Sequence, residues 1–451
     1  MKIIIVGCGK VGLTLSEQLN QEGHDITVID KDGKKLRSVT DLIDVMGVEG
    51  NGAMYQVQTE AGVQEADLLI ATTESDELNM LCCLMAKKAG NCNTIARIRN
   101  PEYRAEIRYL QEELNLSMAI NPELAAATEI ARLLKFPSAI KIDTFAKGRV
   151  ELMKFIVPEQ SVLHNRKVFE VVTKLKCNVL ICAVERGSDV TIPSGNFQLK
   201  SGDKLSFIAA PEDATSFFRR VGVEKNTIRS ALLIGGGKIT YYLAKMLEHT
   251  NIQLKIIEQN YERCLELSNS LPKAIIINGD ASNQQLLLEE GIRQTDAFAS
   301  LTGFDEENIM LTLYATTMTK AKLITKINRI AFEDAISHLN LGSIIYPKLL
   351  IADRIVRYVR AMQNSLGSNV ETLYKIVANK VEALEFRVEN DAPLIGITLE
   401  ELRFKDNLLI ACINRQGTIM TPRGKDTIKE GDTVVVVTTH SGLKDLKDVL
   451  K

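Results

Sequence analysis

Residues 2–12 read Lys2-Ile3-Ile4-Ile5-Val6-Gly7-Cys8-Gly9-Lys10-Val11-Gly12. A β-branched run enters a Gly-x-Gly-x-x-Gly turn and leaves it as the amphipathic stretch Val11–Asn20. That succession is a strand, a glycine turn and a helix. Gly7 permits the tight turn, Gly9 admits a pyrophosphate to the backbone, and Gly12 lets helix and strand pack closely. A helix starting there points free N–H groups and the positive end of its dipole at an anion. The glycine pattern is weak evidence by itself; its neighbours give it weight.

The next such run, Asp25-Ile26-Thr27-Val28-Ile29-Asp30, ends on an acid 21 residues after Gly9. A carboxylate so placed accepts hydrogen bonds from the hydroxyls of an adenosine ribose and repels a 2′-phosphate. No arginine adjoins Asp30. NAD(H) or another adenosine nucleotide therefore suits the pattern better than NADP(H). The competing use of Asp30 is a helix cap in the turn Lys31-Asp32-Gly33.

The same alternation continues. It predicts strands over 2–6, 25–30, 44–48, 67–73, 94–99 and 117–120, with helical stretches such as 11–20, 79–88 and 123–136 between them. Six strands with intervening helices make an α/β, doubly wound parallel sheet, Rossmann-like in kind. Ligands of such sheets lie at the carboxyl ends of the strands. Asn51 and Gly52 follow the third strand, and Thr73 and Glu74 end the fourth. Arg97 and Arg99 share one face of the fifth, and cations in a covered strand need an anion. Phosphate is the functional candidate; ion pairs at a subunit interface are the other.

The whole pattern occurs twice. Leu233-Ile234-Gly235-Gly236-Gly237-Lys238-Ile239 repeats the glycine turn 228 positions on, and Glu258 stands for Asp30. Ser75-Asp76-Glu77-Leu78-Asn79 returns as Phe304-Asp305-Glu306-Glu307-Asn308, and Ile192-Pro193-Ser194-Gly195 as Thr421-Pro422-Arg423-Gly424. A register kept this long indicates one duplicated unit. The second copy offers Gly235, Gly236, Gly237, Lys238, Ile239, Glu258, Asp280, Thr302 and Lys326 as nucleotide contacts. It departs where Gly12 becomes Thr240, Gly52 becomes Asp280 and Arg97 becomes Lys326. Thr240 leaves the helix less free to approach, and a lysine is a point charge rather than a fork. A second site with a different affinity or a different nucleotide is expected.

Each copy closes with a small α+β unit, read from short alternating strands at 141–145, 150–157, 179–185 and 204–209 and a helix over 211–221. Four units result: 1–135 and 228–362 are the nucleotide sheets, and 138–223 and 369–451 the small subdomains.

Composition sets limits. The chain has 451 residues, 45% apolar and 25% charged, with a net charge of -2. That balance asks for neither nucleic acid nor direct membrane insertion. No run reaches the roughly 18 apolar residues of a membrane span. The eight cysteines lack zinc spacing and read as buried, reduced thiols, so no metal is expected. His24, His164, His249, His338 and His440 fall outside the strand-end loops, and no nucleophile or metalloprotease motif is present. A binding protein is the reading; an NAD-dependent oxidoreductase with duplicated sheets is the rival.

On these residues the chain resembles the RCK (regulator of K⁺ conductance) family, and within it the nucleotide-binding regulatory subunits of Trk potassium uptake systems. The resemblance rests on the two glycine turns, Asp30, Glu60-Ala61-Gly62, 66–73, Ser75 to Met80, 95–101, Gly279-Asp280-Ala281 and Asp305 to Met310, and spans essentially the whole chain. It implies two RCK N-terminal domains, each followed by an RCK C-terminal subdomain. It implies NAD or NADH as ligand, with ATP or ADP as alternatives, held by Gly7, Cys8, Gly9, Lys10, Val11, Asp30, Thr73 and Arg97. It further implies a homotetramer of eight lobes on the cytoplasmic face of the membrane. That ring would gate a Trk-type integral membrane potassium-translocating subunit, or alternatively another cation channel or an antiporter.

Overall fold

A computed structural model describes residues 1–145, 150–187, 189–222, 228–329, 336, 339–364, 370–377, 380–389, 392–440, 443 and 445–451. Its strands form four sheets. In the first lobe β1 (Lys2–Val6), β2 (Asp25–Asp30), β3 (Met46–Glu49), β4 (Leu68–Ala71), β5 (Asn93–Arg97) and β6 (Met118–Ile120) lie in the order β3-β2-β1-β4-β5-β6. All five pairings are parallel. The strands are added first to one side of β1 and then, from β4 on, to the other, and this switch opens a crevice at the carboxyl ends of β1 and β4. Helices α1 (Lys10–Gln21), α2 (Gly33–Thr40), α3 (Tyr55–Glu60), α4 (Asp76–Gly90), α5 (Ile107–Glu113) and α6 (Pro122–Lys135) connect and cover the strands.

The first small subdomain follows. Its strands β7 (Lys141–Phe145), β8 (Val150–Ile156), β9 (Leu180–Arg186), β10 (Asp189–Thr191) and β11 (Lys204–Ala209) form an antiparallel sheet ordered β10-β9-β11-β8-β7. Helices α7 (Val168–Thr173) and α8 (Pro211–Arg220) accompany it. The second lobe repeats the parallel order with β12 (Ser230–Ile234), β13 (Gln253–Glu258), β14 (Ile275–Asn278), β15 (Ala297–Ser300), β16 (Lys322–Lys326) and β17 (Ser343–Ile345). Its described helices are α9 (Lys238–Leu247), α10 (Tyr261–Ser270), α11 (Gln284–Glu289), α12 (Asp305–Met318) and α13 (Pro347–Asn364). The last sheet, β18 (Val370–Val377), β19 (Val381–Arg387), β20 (Leu408–Arg415), β21 (Thr418–Met420) and β22 (Thr433–Thr438), keeps the order of the first small one.

The expected α/β architecture is therefore present twice. The differences lie at the edges. The strand expected over 67–73 stops at Ala71 and that over 94–99 at Arg97, so Thr73, Glu74 and Arg99 sit in loops. The helix α7 and the strand β10 carry too few residues to show a period, and the sequence reading passes over both.

Between the lobes, helices are exchanged. Ala126, Ile130 and Leu134 of α6 share one core with Ile239 and Leu243 of α9 and with Leu233 and Ile256 of the second sheet. Reciprocally, Ile351, Ile355 and Val359 of α13 bury themselves with Val11, Leu15 and Leu19 of α1. Each fully buried side chain of this size contributes about 1.5–3 kcal/mol relative to exposure. Neither lobe closes its core without the other.

Candidate nucleotide-binding site

The first glycine turn sorts its glycines by cause. Gly7 has φ +101°, and a Cβ there would stand 3.0 Å from the Thr73 nitrogen. A Cβ on Gly12 would stand 1.9 Å from the Gly7 carbonyl oxygen. Both are required by the protein itself. Gly9 is not: its φ is -66°, and a Cβ would meet nothing within 4 Å. The open ground over Gly9 lies at the start of α1, where a ligand would approach.

That helix start is bare. Gly9 occupies the cap position, no side chain caps the helix, and its first turn holds no acid. By contrast Asp32 caps α2, Ser75 caps α4 and Asn121 caps α6. The first intrahelical bond runs from the Leu13 nitrogen to the Gly9 oxygen at 2.9 Å. The N–H groups of Lys10, Val11 and Gly12 precede it and have no intrahelical acceptor. Val11 turns its side chain into the core, so only its backbone faces the crevice. Free amides with the positive dipole end behind them form an anion site.

Asp30 borders that ground. One carboxylate oxygen accepts from the Cys8 nitrogen at 2.6 Å and the other from the Asp32 nitrogen at 2.9 Å. Each oxygen keeps a lone pair for a ribose hydroxyl. The helix cap is Asp32, which accepts from Lys34 and Lys35, so capping does not explain Asp30. Burial first, and Asp30 next, push the Cys8 thiol up to about 12. Cys8 thus brings a backbone amide to the site and no thiolate.

Across the crevice, Asn79 organises the loops. Fully buried, it accepts from the Thr73 nitrogen at 2.7 Å and from the Thr73 hydroxyl at 2.8 Å. Its amide donates to the Arg97 carbonyl at 2.9 Å and the Thr73 carbonyl at 3.2 Å. Asp76 accepts from the Arg99 and Asn100 nitrogens at 2.8 and 2.7 Å. The sequence reading quotes both residues only as members of a repeated motif. Their return as Asp305 and Asn308 is the signal for the further role.

The two arginines separate. Arg99 pairs with Asp76 and Glu123 at 3.9 and 3.7 Å and donates to the Glu74 carbonyl at 2.8 Å. Its ion pairs lie within its own chain. Arg97 donates to the Thr73 carbonyl and has no ion pair among the described residues. Its Nε is buried without a partner. Burial, then the neighbouring Arg99, holds the guanidinium below its ordinary range. Arg97 is thus a buried cation of the first crevice without an ion pair among the described residues, on which Glu123, Asp76 and Glu74 act only from beyond contact. Asn51 is exposed and accepts from the Ala53 nitrogen at 3.0 Å. Gly52 is buried, and a Cβ there would stand 2.3 Å from Val6, so packing alone accounts for its smallness.

The second lobe repeats the essentials. Gly235 has φ +97°, and a Cβ on Gly237, the α9 cap, would meet nothing within 4 Å. No side chain caps α9, and its first turn has no acid. Lys238 is exposed and Ile239 buried, like Lys10 and Val11. Glu258 accepts from the Gly236 nitrogen at 2.7 Å and the Asn260 nitrogen at 2.8 Å. Thr302 is tied by Asn308, whose amide also donates to the Lys326 carbonyl at 3.0 Å. Lys326 donates to the Thr302 carbonyl at 2.8 Å. Thr240 does not obstruct its helix: its hydroxyl donates to the Gly235 carbonyl at 2.5 Å, so the approach forbidden at Gly12 becomes a hydrogen bond. Asp280 is exposed and accepts from the Ser282 nitrogen at 2.8 Å.

The described histidines stand apart from both crevices. His164 accepts from Ser201 in the first small subdomain, His440 contacts the Asp406 carbonyl in the second, and His24 is buried between α1 and β2. His249 follows the carboxyl end of α9, and His338 lies outside the described residues.

Residues 3–122 and 231–347 match the TrkA-N domain family, and 152–222 and 383–451 the TrkA-C domain family. A relative from Haemophilus influenzae, the Trk system potassium uptake protein TrkA, is 32% identical over 455 residues, covering 100% of this chain and 97% of that protein. One from Archaeoglobus fulgidus, a Trk system potassium uptake protein TrkA homolog, is 31% identical and covers 100% of both chains. Among solved structures, the GsuK channel bound to NAD superposes with a TM-score of 0.64 at 17% identity, covering 97% of this chain and 76% of that one.

Proposed function

The chain belongs to the TrkA family, and on that premise we propose that it is a non-enzymatic regulatory subunit that binds an adenosine nucleotide and gates a Trk-type potassium-translocating membrane protein. One observation carries this reading. Both glycine-turn helices begin uncapped, beside an acid at the end of the second strand, with open ground over Gly9 and Gly237. NAD or NADH is the first candidate ligand, and ATP or ADP the second. The GsuK structure bound to NAD supports the choice of ligand class for this fold.

In the proposed complex the pyrophosphate lies on the amides of Lys10 to Gly12, Asp30 holds the ribose, and Arg97 neutralises charge at the far side. Such a ligand gates only if it binds one arrangement of the assembly more tightly than the other. Four chains, giving eight lobes, are the assembly we infer, placed on the inner face of the membrane by the partner. No helix among the described residues is long and apolar enough to cross a membrane, which is consistent with attachment through that partner.

Calorimetry of the purified chain against NAD, NADH, ATP and ADP tests the binding. Potassium flux through the reconstituted complex, with and without nucleotide, tests the gating. Binding that survives loss of both glycine turns, or flux indifferent to nucleotide, overturns the reading. Steady nicotinamide turnover with any metabolite would establish the oxidoreductase instead.

A further inference from the structure

A cavity of about 1590 Å³ is bounded by α1, α6, α13, the start of β16 and the linker that follows α6. Pockets for small ligands ordinarily hold roughly 300–1,000 Å³. Lys322, the first residue of β16, lines it, and Lys326 at the other end of that strand borders the nucleotide crevice. The cavity and the crevice thus lie at opposite ends of the second sheet.

Its charge is divided. Lys322 donates to the Ala139 carbonyl and has no ion pair among the described residues. Burial alone lowers it to about 7. A buried ammonium has three donors, and one without counter-charge calls for an anion. Farther along the linker the lining is acidic. Glu129, Asp143 and Asp353 all act on Lys141, so the acids outnumber the lysine they surround. Asp143 pairs with Lys141 at 3.0 Å, yet the Lys141 side chain stays 48% exposed, open to the cavity it lines. Glu129 is buried and pairs with Arg132 of its own helix at 3.7 Å; burial, then Asp143, raises its carboxyl to about 7. Gln18 of α1 lines the same space, and its Oε1 is buried without a hydrogen-bond partner. That oxygen is an acceptor open to an N–H.

The backbone sets the spacing. Lys322 is anchored at Ala139, Glu129 accepts from the Ile142 nitrogen, and Asp143 is the next residue. The Ile140 nitrogen bonds to the Lys154 carbonyl, and residues 141–145 pair with β8 in extended form. At about 3.3 Å per residue, the basic and acidic anchoring points lie roughly 10–13 Å apart. An α-amino acid, whose two charges are separated by one carbon, is too short to join them. Three or four extended peptide residues reach about 10–14 Å.

We propose that this cavity is an effector site for a short zwitterionic peptide of three or four residues, with its carboxylate on Lys322, its ammonium beside Glu129 and Asp143, and a backbone N–H on Gln18. The site is independent of the nucleotide reading. A peptide held there bridges the second sheet, α6 and the first strand of the small subdomain.

The test is calorimetry of the full chain with tetra-alanine, N-acetyl-tetra-alanine, tetra-alanine amide and acetate. Tetra-alanine should bind, and blocking either end should weaken it about 10- to 100-fold, the range for loss of a charge-assisted hydrogen bond. Lys322→Met should bring tetra-alanine down to the level of its amide and leave the amide within about twofold. Glu129→Gln should weaken tetra-alanine and leave the N-acetyl form within the same limit. The blocked peptides probe both charges in the unaltered protein, so the result does not depend on how either variant folds. Equal binding of free and blocked peptides overturns the proposal, as does tetra-alanine binding unmoved by Lys322→Met. Acetate bound as tightly as tetra-alanine, or no binding of tetra-alanine at all, overturns it as well. Loss of tetra-alanine binding in Gly237→Asp would place the peptide in the nucleotide crevice and refute the separate site.

Discussion

Replacing Gly9 by Asp should make the unliganded protein more stable and the liganded protein less so. The backbone of Gly9 is extended, with φ -66° and ψ 178°, and a Cβ there touches nothing. An aspartate fits without strain and caps α1. Aspartate exceeds glycine at a cap by a few tenths of a kcal/mol. A negative charge at a helix start adds about 0.3–1 kcal/mol. The first lobe therefore gains about 1 kcal/mol, or roughly 2–4 °C of melting temperature for a unit of this size. The same carboxylate occupies the anion site and repels phosphate. Wild-type protein in nucleotide at a hundred times Kd gains about 2.7 kcal/mol from one site, and Gly9→Asp forgoes it. Occupancy of the second crevice is common to both proteins and cancels. Thermal unfolding, with and without nucleotide, should show the two melting curves exchange order. A variant that melts lower without ligand refutes the uncapped-helix argument. One that keeps the full ligand increment refutes the placement of the phosphate.

Other perturbations separate the remaining parts. Asn79→Ala leaves the Thr73 amide and the Arg97 carbonyl without partners in a buried place, so it should cost about 2–4 kcal/mol in chemical unfolding; a loss below about 1 kcal/mol would show that water replaces it. Tyr242→Phe removes a hydroxyl that donates to the Arg99 carbonyl at 2.9 Å and accepts from Asn121 at 3.1 Å, and should loosen the seam between lobes by about 1–2 kcal/mol, read as faster amide exchange at 99–104. Burial, then the N-terminal ammonium, lowers the His24 pKa from 6.5. The folded state thus binds its proton less well than the unfolded chain, and stability complete above 6.5 declines as pH falls toward the lowered value. His24→Leu should flatten that decline in melting temperature between about pH 7 and pH 5; an unchanged slope assigns the acid sensitivity elsewhere.

The repeat makes much of this molecule legible. Alternating β-branched runs mark the parallel strands of both lobes because buried parallel strands need that composition, and strands β1 and β2 begin and end where the pattern does. The pattern overruns the strand ends at Thr73 and Arg99, since an apolar run does not show where a loop turns away. Gly52 shows a deeper limit. In sequence it is a glycine at a strand end, equivalent to one awaiting a ligand; in space it clears Val6. Only the fold separates those causes. The exchange of α6 and α13 is equally hidden, because an amphipathic helix announces a buried face without naming what buries it.

That exchange limits how a nucleotide signal can travel. Were the two lobes to swing apart, α6 would leave Leu233 and Ile256, and α13 would leave Val11 and Leu15. Each such side chain exposed costs about 1.5–3 kcal/mol, and even a few of them exceed the coupling of about 1–3 kcal/mol that a ligand ordinarily supplies. The small subdomains are likewise joined, with Leu152, Cys182 and Ile208 of one in a single core with Val381, Val435 and Val437 of the other. The first small subdomain is tied to the lobes as well: Ile142, Phe155 and Phe207 share one core with α6 and the second sheet. The linker after α6 adds two hydrogen bonds to that packing, where Lys322 donates to the Ala139 carbonyl and Ser343 donates to the Ile140 carbonyl at 2.8 Å. Burial lowers Lys322 to about 7, so this latch is a weakly charged one, and two hydrogen bonds of this kind are within reach of a ligand's free energy. On the proposed reading, a nucleotide signal therefore leaves the lobe pairing intact and acts on contacts of this smaller size, of which the two at 139–140 are an example.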